Sequence, residues 1–478
     1  SNNRKTALLQ RYQQQSKPIA SSFVPKKYNP HPLLTNEHLQ TILGVFLRDE
    51  PGCAYIKQQK PTLMSMPSPI PKEENHSNTN NNNINISTIL ATIRELTPVA
   101  KAVLKKLPDI LGFNGNKEVS CNYWDERERI NTPDGDFFHV DYKYASSSCS
   151  STSSISSDAR KEGSKGKGTI IIVHGLESNS NSTVCTNMAK AFHYHNFDVA
   201  CINFRGCSGE PNDTILQYHG GFTDDLKHYI QILSNRNRRQ EGKGANTPME
   251  MEEKPIYISG FSLGSNIVLK CLGELSIDAV TQHNIRGAAV TAAPFHLRPH
   301  YRRLIDEPFQ RIVYAGTILK SMKNKVDYLI ENYCDGDTET TAFDYWKVKN
   351  ATTIADVEDG MIAPLYGFED KFDYFEKSAS LTVVDDIAVP TFVLNAADDP
   401  FFSTTFFPWH KDCERGGAAP LKLVRTEEGG GHLGHLFHRL SETEDENYDE
   451  EKIPVASFAL SELGRFINHV HTKTYKNT

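Results

Sequence analysis

The sequence predicts an α/β fold: a mostly parallel central sheet with helices on both faces and a helical cap inserted between two core strands. Three observations predict it. From Thr169 onward, unbroken apolar runs of strand length alternate with helical stretches, the pattern of a parallel sheet buried on both faces. One run, Ile256-Tyr257-Ile258, turns sharply through Gly260-Phe261-Ser262-Leu263-Gly264 into sequence that can be helical. Residues 294–387 then interrupt the rhythm with mostly helical sequence, so they read as a cap.

The chain justifies each element in turn. Residues 1–27 are polar and read as a surface arm. Thr35 or Asn36 can cap a helix running to about Arg48, and arm and helix together make an N-terminal region, 1–65, expected to pack on the core. Residues 66–88 are Pro/Ser/Asn-rich loop. Within the insertion 66–118, apolar residues recur at helical spacing from Ile86 to Leu111, and Thr97-Pro98 divides them into two helices. Lys101, Lys105 and Lys106 line the polar side of the second, which suits either peripheral membrane contact or simple packing on the body. The first part of the core is expected over 119–293. It opens with a hairpin around Thr132-Pro133-Asp134-Gly135-Asp136 and carries flexible insertions at 146–167 and 234–253. Strands follow at Thr169–Val173, Val199–Phe204, the Ile256 run and Gly287–Ala292, with helices over about Ser182–His195 and Phe222–Leu233. The second part of the core, 388–478, holds strands Thr391–Asn395 and Leu421–Thr426 and a helix over Val455–His471.

Composition narrows the function. The 478 residues carry a net charge of −7 and no basic stripe, which argues against nucleic-acid binding. Nine cysteines with no C-x-x-C pair point to free thiols in a reducing compartment and to no metal site. No apolar run approaches the roughly 20 residues that cross a bilayer. The chain opens at Ser1 rather than Met, so an anchor preceding it stays open, and the expected location is cytoplasmic or membrane-associated.

The candidate chemistry lies at strand ends. Ser262 sits between glycines at a strand-to-helix turn, the setting of a nucleophile elbow: side chains at 260 and 264 would collide with the neighbouring strand and helix. The strand Thr391–Leu394 runs into Asn395-Ala396-Ala397-Asp398-Asp399-Pro400. Asp399 is the chosen acid and Asp398 the runner-up. The last strand runs into Gly429-Gly430-Gly431-His432-Leu433-Gly434-His435. His432 is the chosen base; His435 is the alternative, and a surface histidine is its expected role. His174-Gly175-Leu176 follows the first core strand, so backbone N–H groups of Leu176 and Leu263 would face a developing oxyanion. His38 is read as structural. His219 to Asp224 fits an H-x-x-x-x-D acyltransferase pattern and is also read as structural.

These residues resemble family 4 of the α/β-hydrolases, which includes YheT-type hydrolases, yeast medium-chain fatty acid ethyl ester synthase/esterases and animal abhydrolase-domain lipases. The resemblance rests on Asn36-Glu37-His38-Leu39-Gln40-Thr41, Thr132-Pro133-Asp134-Gly135-Asp136, His174-Gly175-Leu176, Asn203-Phe204-Arg205-Gly206, the elbow through Ser265-Asn266, the Asp398-Asp399-Pro400 segment and the His432 loop. It extends to the cap, at Tyr366-Gly367-Phe368 and Asp373-Tyr374-Phe375. It implies an α/β-hydrolase fold with Ser262, Asp399 and His432 as triad. The departures are the insertions and the acidic run Glu442–Glu451. The expected function is a serine carboxyl-ester hydrolase acting on acyl lipids or medium-chain esters, with no cofactor. Phe309, Ile312, Val313, Ile318, Leu319 and Met322 could line an acyl channel in the cap. Two alternatives remain: an ester synthase using the same acyl-enzyme, and a non-catalytic binding protein on the same scaffold.

Overall fold

The run Ile170–Val173 sends its side chains alternately into two cores. Ile171 and Val173 enter one, and Ile170 and Ile172 the other, all fully buried. A strand with no polar side has no solvent face, and the chain covers both of its faces with helices. The computed structural model describes residues 2–30, 40–41, 123–145, 166–241, 253–307, 310–339, 341–402, 406–436 and 457–475. The helix expected to end at Arg48 (apart from Gln40 and Thr41), His38, the insertion 66–118 with its three lysines, the Ser-rich stretch to 165 and the acidic run at 442–451 lie outside the described residues.

In chain order the main elements are α1 (Asn2–Ser21), β1 (Glu126–Asn131), β2 (Phe137–Lys143), β3 (Thr169–Val173), α2 (Thr183–Tyr194), β4 (Asp198–Asn203), α3 (Asp224–Glu241), β5 (Ile256–Phe261), α4 (Leu263–Leu275), β6 (Ile285–Thr291), α5 (Leu297–Asp306), α6 (Gly316–Tyr333), α7 (Lys371–Ser378), β7 (Thr391–Ala396), β8 (Leu421–Thr426) and α8 (Phe458–Tyr475). They build an eight-stranded sheet in the order β1-β2-β4-β3-β5-β6-β7-β8. The hairpin β1–β2 is antiparallel, as is β2 on β4, and every other pairing is parallel. This is an α/β-hydrolase fold. Side chains of α3 and α4 pack in one core, and those of α2 and α8 in the other. α5, α6, α7 and π-helical turns at Gln310–Ala315 and Glu358–Ile362 fall between β6 and β7. That insertion has its own apolar core around Val326, Leu329, Val357 and Phe375. Among the described residues, no helix is long and apolar enough to cross a membrane.

Two expectations need correction. The N-terminal surface arm is a 20-residue helix, α1, whose buried positions Gln13, Ser16 and Ala20 recur at helical spacing. Polar residues occupy that face because Gln13 donates to the carbonyls of Asp385 (2.7 Å) and Ile387 (3.0 Å), so no apolar stripe marks it. Phe23 beyond it is buried edge-on to Phe392 and Phe466. The polar stretch expected to begin at Ser234 is helical to Glu241. There Ser234 is buried and donates to Ile230 O, and Arg236 pairs with Glu128, so polar side chains are bonded within the fold.

Candidate active site

Ser262 joins β5 to α4 with φ +53° and ψ −128°, a conformation that costs energy for a residue with a side chain. Close packing holds it there. A Cβ at Gly260 would lie 2.9 Å from Gly264 O and 3.1 Å from Val173 O, and one at Gly264 would overlap the carbonyls of Val173 and His174. The elbow is fastened further along α4. Ser265 donates to Thr291 O (2.7 Å), and Asn266 donates to Gly220 O and Ser378 O (both 2.8 Å) while accepting from Ser380 N–H (2.9 Å).

The structure brings the three chosen side chains together. His432 Nε2 lies 3.1 Å from Ser262 Oγ, and His432 Nδ1 lies 2.8 Å from Asp399 Oδ2. A carboxylate accepts only, so Nδ1 carries the proton and Nε2 is left as acceptor for the serine hydroxyl. Asp399 is 2% exposed, and its other oxygen accepts from Phe401 N–H (2.8 Å). Phe401 stacks on the His432 ring at 4.2 Å, and Phe402 meets it edge-on at 5.2 Å.

Asp398 points elsewhere. Its Oδ1 accepts from Gly430 N–H (3.1 Å) and Gly431 N–H (3.0 Å), so it fastens the loop that carries His432, and burial raises its pKa. His435 is not at the surface, as the sequence suggested: it is 1% exposed, pairs with Thr426 Oγ1 (2.9 Å) and packs edge-on to Tyr28. Residues from the other end of the chain complete the anchorage. His432 N–H donates to Thr41 Oγ1 (2.8 Å), Leu436 N–H to Gln40 Oε1 (3.0 Å), and the Tyr28 hydroxyl to the carbonyls of Gly429 (3.0 Å) and Leu436 (2.8 Å). Nothing in the residue types of Tyr28, Gln40 and Thr41 marks this role in the sequence. The Gln40-Thr41 pair lay within a quoted motif, and that was the available signal.

Leu176 and Leu263 both line the cavity with Ser262 and His432. Leu263 opens α4, so its N–H has no intrahelical acceptor, and the positive end of the helix faces the site. The Leu176 loop is braced by His174. Phe204 N–H donates to His174 Nε2 (3.2 Å), which leaves Nδ1–H to donate to Gly175 O (2.8 Å). Burial lowers the His174 pKa to about 4, so this bridge is neutral. His219 is buried among Tyr366, Phe368 and Tyr374, and burial lowers its pKa to about 3. It is a packed core histidine.

The cavity measures about 290 Å³ and lies between the elbow and the cap. Its walls are mainly apolar: Leu297, Tyr301, Leu304 and Ile305 from α5, Ile318 from α6 and Phe375 from α7. Of the six cap residues expected to line a channel, Ile318 does so. Met322 lines a smaller pocket behind Leu176 and Leu263, Leu319 packs at the edge of the cap core, and Phe309 and the side chains of Ile312 and Val313 lie outside the described residues. Glu358 lines both cavities, and burial pushes its pKa up to about 8.

A family model described as serine aminopeptidase, S33, matches residues 164–333. The chain is 26% identical to the YheT protein of Escherichia coli K12 over 66% of this chain and 78% of that one. It is 25% identical to an abhydrolase domain-containing protein of Dictyostelium discoideum, over 56% of this chain and 62% of that one. It is 24% identical to a monoacylglycerol lipase of Saccharomyces cerevisiae, over 59% of this chain and 58% of that one. The chain therefore spans less than two thirds of the last two. An esterase structure from Pyrococcus furiosus aligns with a TM-score of 0.40 at 15% identity, over 74% of this chain and 94% of that one.

Proposed function

The chain belongs to the α/β-hydrolase superfamily and is of its esterase/lipase type, and on that premise we propose that it cleaves carboxylic esters of single, medium-length acyl chains through an acyl-enzyme on Ser262. One observation carries this reading: the Ser262–His432–Asp399 hydrogen-bond chain opens directly onto a mainly apolar cavity of about 290 Å³. That volume is at the lower bound of small-molecule sites, about 300–1,000 Å³, which fits one acyl chain better than two.

Ser262 Oγ attacks the ester carbonyl while His432 Nε2 takes its proton. Asp399 holds the ring and stabilises its positive charge. The amides of Leu176 and Leu263 receive the oxyanion. His432 then returns the proton to the leaving alcohol, and water resolves the acyl-enzyme by the same route in reverse. The substrates are acyl esters, glycerolipids among them.

A series of p-nitrophenyl esters of increasing acyl length tests this. Each added methylene buries about 0.8 kcal/mol of apolar surface, so kcat/KM should rise roughly fourfold per carbon until the cavity is full, then level or fall. Ser262→Ala should abolish both turnover and fluorophosphonate labelling. A flat chain-length profile, or a Ser262→Ala variant within tenfold of wild type, refutes the reading. Product analysis with ethanol present shows whether water or an alcohol takes the acyl group.

A further inference from the structure

Glu177, next to Leu176, holds φ at +51°, a left-handed conformation uncommon for a residue with a side chain. Its polar groups are tied on three sides. Its N–H donates to the Tyr218 hydroxyl (2.7 Å), Oε1 accepts from Lys325 Nζ (2.9 Å), and Oε2 accepts from Ser321 Oγ (2.9 Å). Tyr218 is fixed in turn by stacking on Phe204, with ring centroids 5.0 Å apart and planes 9° from parallel. Ser321 and Lys325 are one turn apart on α6, a cap helix whose Met322, Val326 and Leu329 are buried. The Lys325 and Glu177 side chains are 18% and 16% exposed, so water screens this ion pair far less than a surface one.

The short loop carrying Leu176 is therefore held at both ends. His174 fastens it to the core strand β4 side, and Glu177 fastens it to the cap. We propose that Lys325 and Ser321 are positioning residues that act through Glu177 to aim the Leu176 amide at the oxyanion. The oxyanion hole is then complete only while the cap helix is seated. This inference rests on the ester-hydrolase reading. It implies an effect on the rate of the chemical step, because an amide that meets charge only in the transition state contributes little to ground-state binding.

The test compares wild type with Lys325→Met, Lys325→Arg, Ser321→Ala and Glu177→Gln on a short p-nitrophenyl ester, with fluorophosphonate labelling and melting temperature measured alongside. Lys325→Met should lower kcat by about ten- to a hundredfold, with KM within about twofold. Lys325→Arg should recover most of that loss. Combining Lys325→Met with Glu177→Gln should cost no more than the worse single change, because both break one link. Should Lys325→Met fold poorly, Ser321→Ala decides: kcat about two- to tenfold down, with KM held, supports the link. Unchanged kcat in folded variants, a change confined to KM or melting temperature, or additive losses overturn it while leaving the esterase reading standing. A wild type inert toward every ester and toward the fluorophosphonate overturns the esterase reading and this inference together.

Discussion

Replacing Gly264 by Ala adds one methyl group where the structure has no room. The new Cβ would fall 2.8 Å from the His174 carbonyl carbon and closer still to the carbonyl oxygens of Val173 and His174, whereas ordinary contact begins at about 3.4 Å. Backbone on both sides makes the contact, so no side chain can swing away. α4 and the end of β3 must part by about 1 Å. That parting separates Leu263 from Leu176, the two amides assigned to the oxyanion, and tilts Ser262 away from His432. Overpacking of this kind costs about 1–3 kcal/mol of stability, and a misplacement of about 1 Å can cost roughly a hundredfold in rate. Gly367→Ala is the control. Gly367, unlike Gly264, holds a left-handed backbone (φ +70°), but a Cβ there meets nothing within 4 Å, and it is not among the residues lining the cavity. It should lose about 1–2 kcal/mol with kcat unchanged. The assay is kcat and KM on a short p-nitrophenyl ester, beside urea unfolding of both variants. If Gly264→Ala keeps kcat within about threefold of wild type, or if Gly367→Ala loses as much rate, the packing account of the elbow is wrong.

Asp399→Asn should lower kcat by about 10⁴-fold at little cost to folding, because the amide can favour the wrong imidazole tautomer. Asp398→Ala should instead lower stability by about 2–4 kcal/mol, by freeing the amides of Gly430 and Gly431. The reverse ranking in kinetics and melting would exchange the two roles. Thr41→Val should cost about 1–3 kcal/mol and reduce kcat, since His432 N–H loses its acceptor; a silent substitution would mean the loop holds itself. Burial pushes the Glu358 pKa up to about 8, so the folded chain keeps a proton that the unfolded chain has released between about pH 4.5 and 8. Stability should therefore fall as pH rises through that window, and Glu358→Gln should flatten the slope in urea unfolding across pH 5 to 8. A variant that keeps the wild-type slope excludes Glu358 as its source.

The sheet was legible because its core strands carry apolar runs that a parallel, doubly covered sheet requires, and their limits agree to within two residues except at the elbow, where the strand continues through the glycine to Phe261. Ser262 was legible because collision and strain leave so few residue types possible at 260 and 264. The choice of Asp399 over Asp398 was harder, since both stand at the end of β7 and either suits an imidazole. What separates them is that Asp398 is spent on two glycine amides 32 and 33 residues later, a fact with no local signature. α1 was missed for a related reason: its buried Gln13 earns its place by bonding carbonyls some 370 residues away, and helical periodicity read from apolar residues does not register it. His435 was misplaced because glycine-rich sequence reads as exposed loop, whereas Tyr28 and Phe458 close over this one.

The His432 loop shows why such contacts had to come from far away. Gly429, Gly431, Leu433 and His435 all have positive φ, so the segment forms neither a regular strand nor a helix, and beyond His435 N–H on Gly430 O and a single bridge from Leu436 to Ser457 it has little backbone pairing to receive its N–H groups. Buried amides left unpaired would each cost a lost hydrogen bond. The amides of Gly430, Gly431, His432 and Leu436 go to Asp398, Asp398, Thr41 and Gln40, all side-chain acceptors from other parts of the chain. The serine is set differently: the turn from β5 into α4 is made by regular elements on either side, and the side chains of Ser265 and Asn266 fasten the helix that follows it. The two halves of the site should therefore fail differently. Damage at the elbow acts chiefly through packing. Damage at the imidazole acts through a few hydrogen bonds, and can begin at Tyr28 or Gln40, hundreds of residues from His432 in sequence.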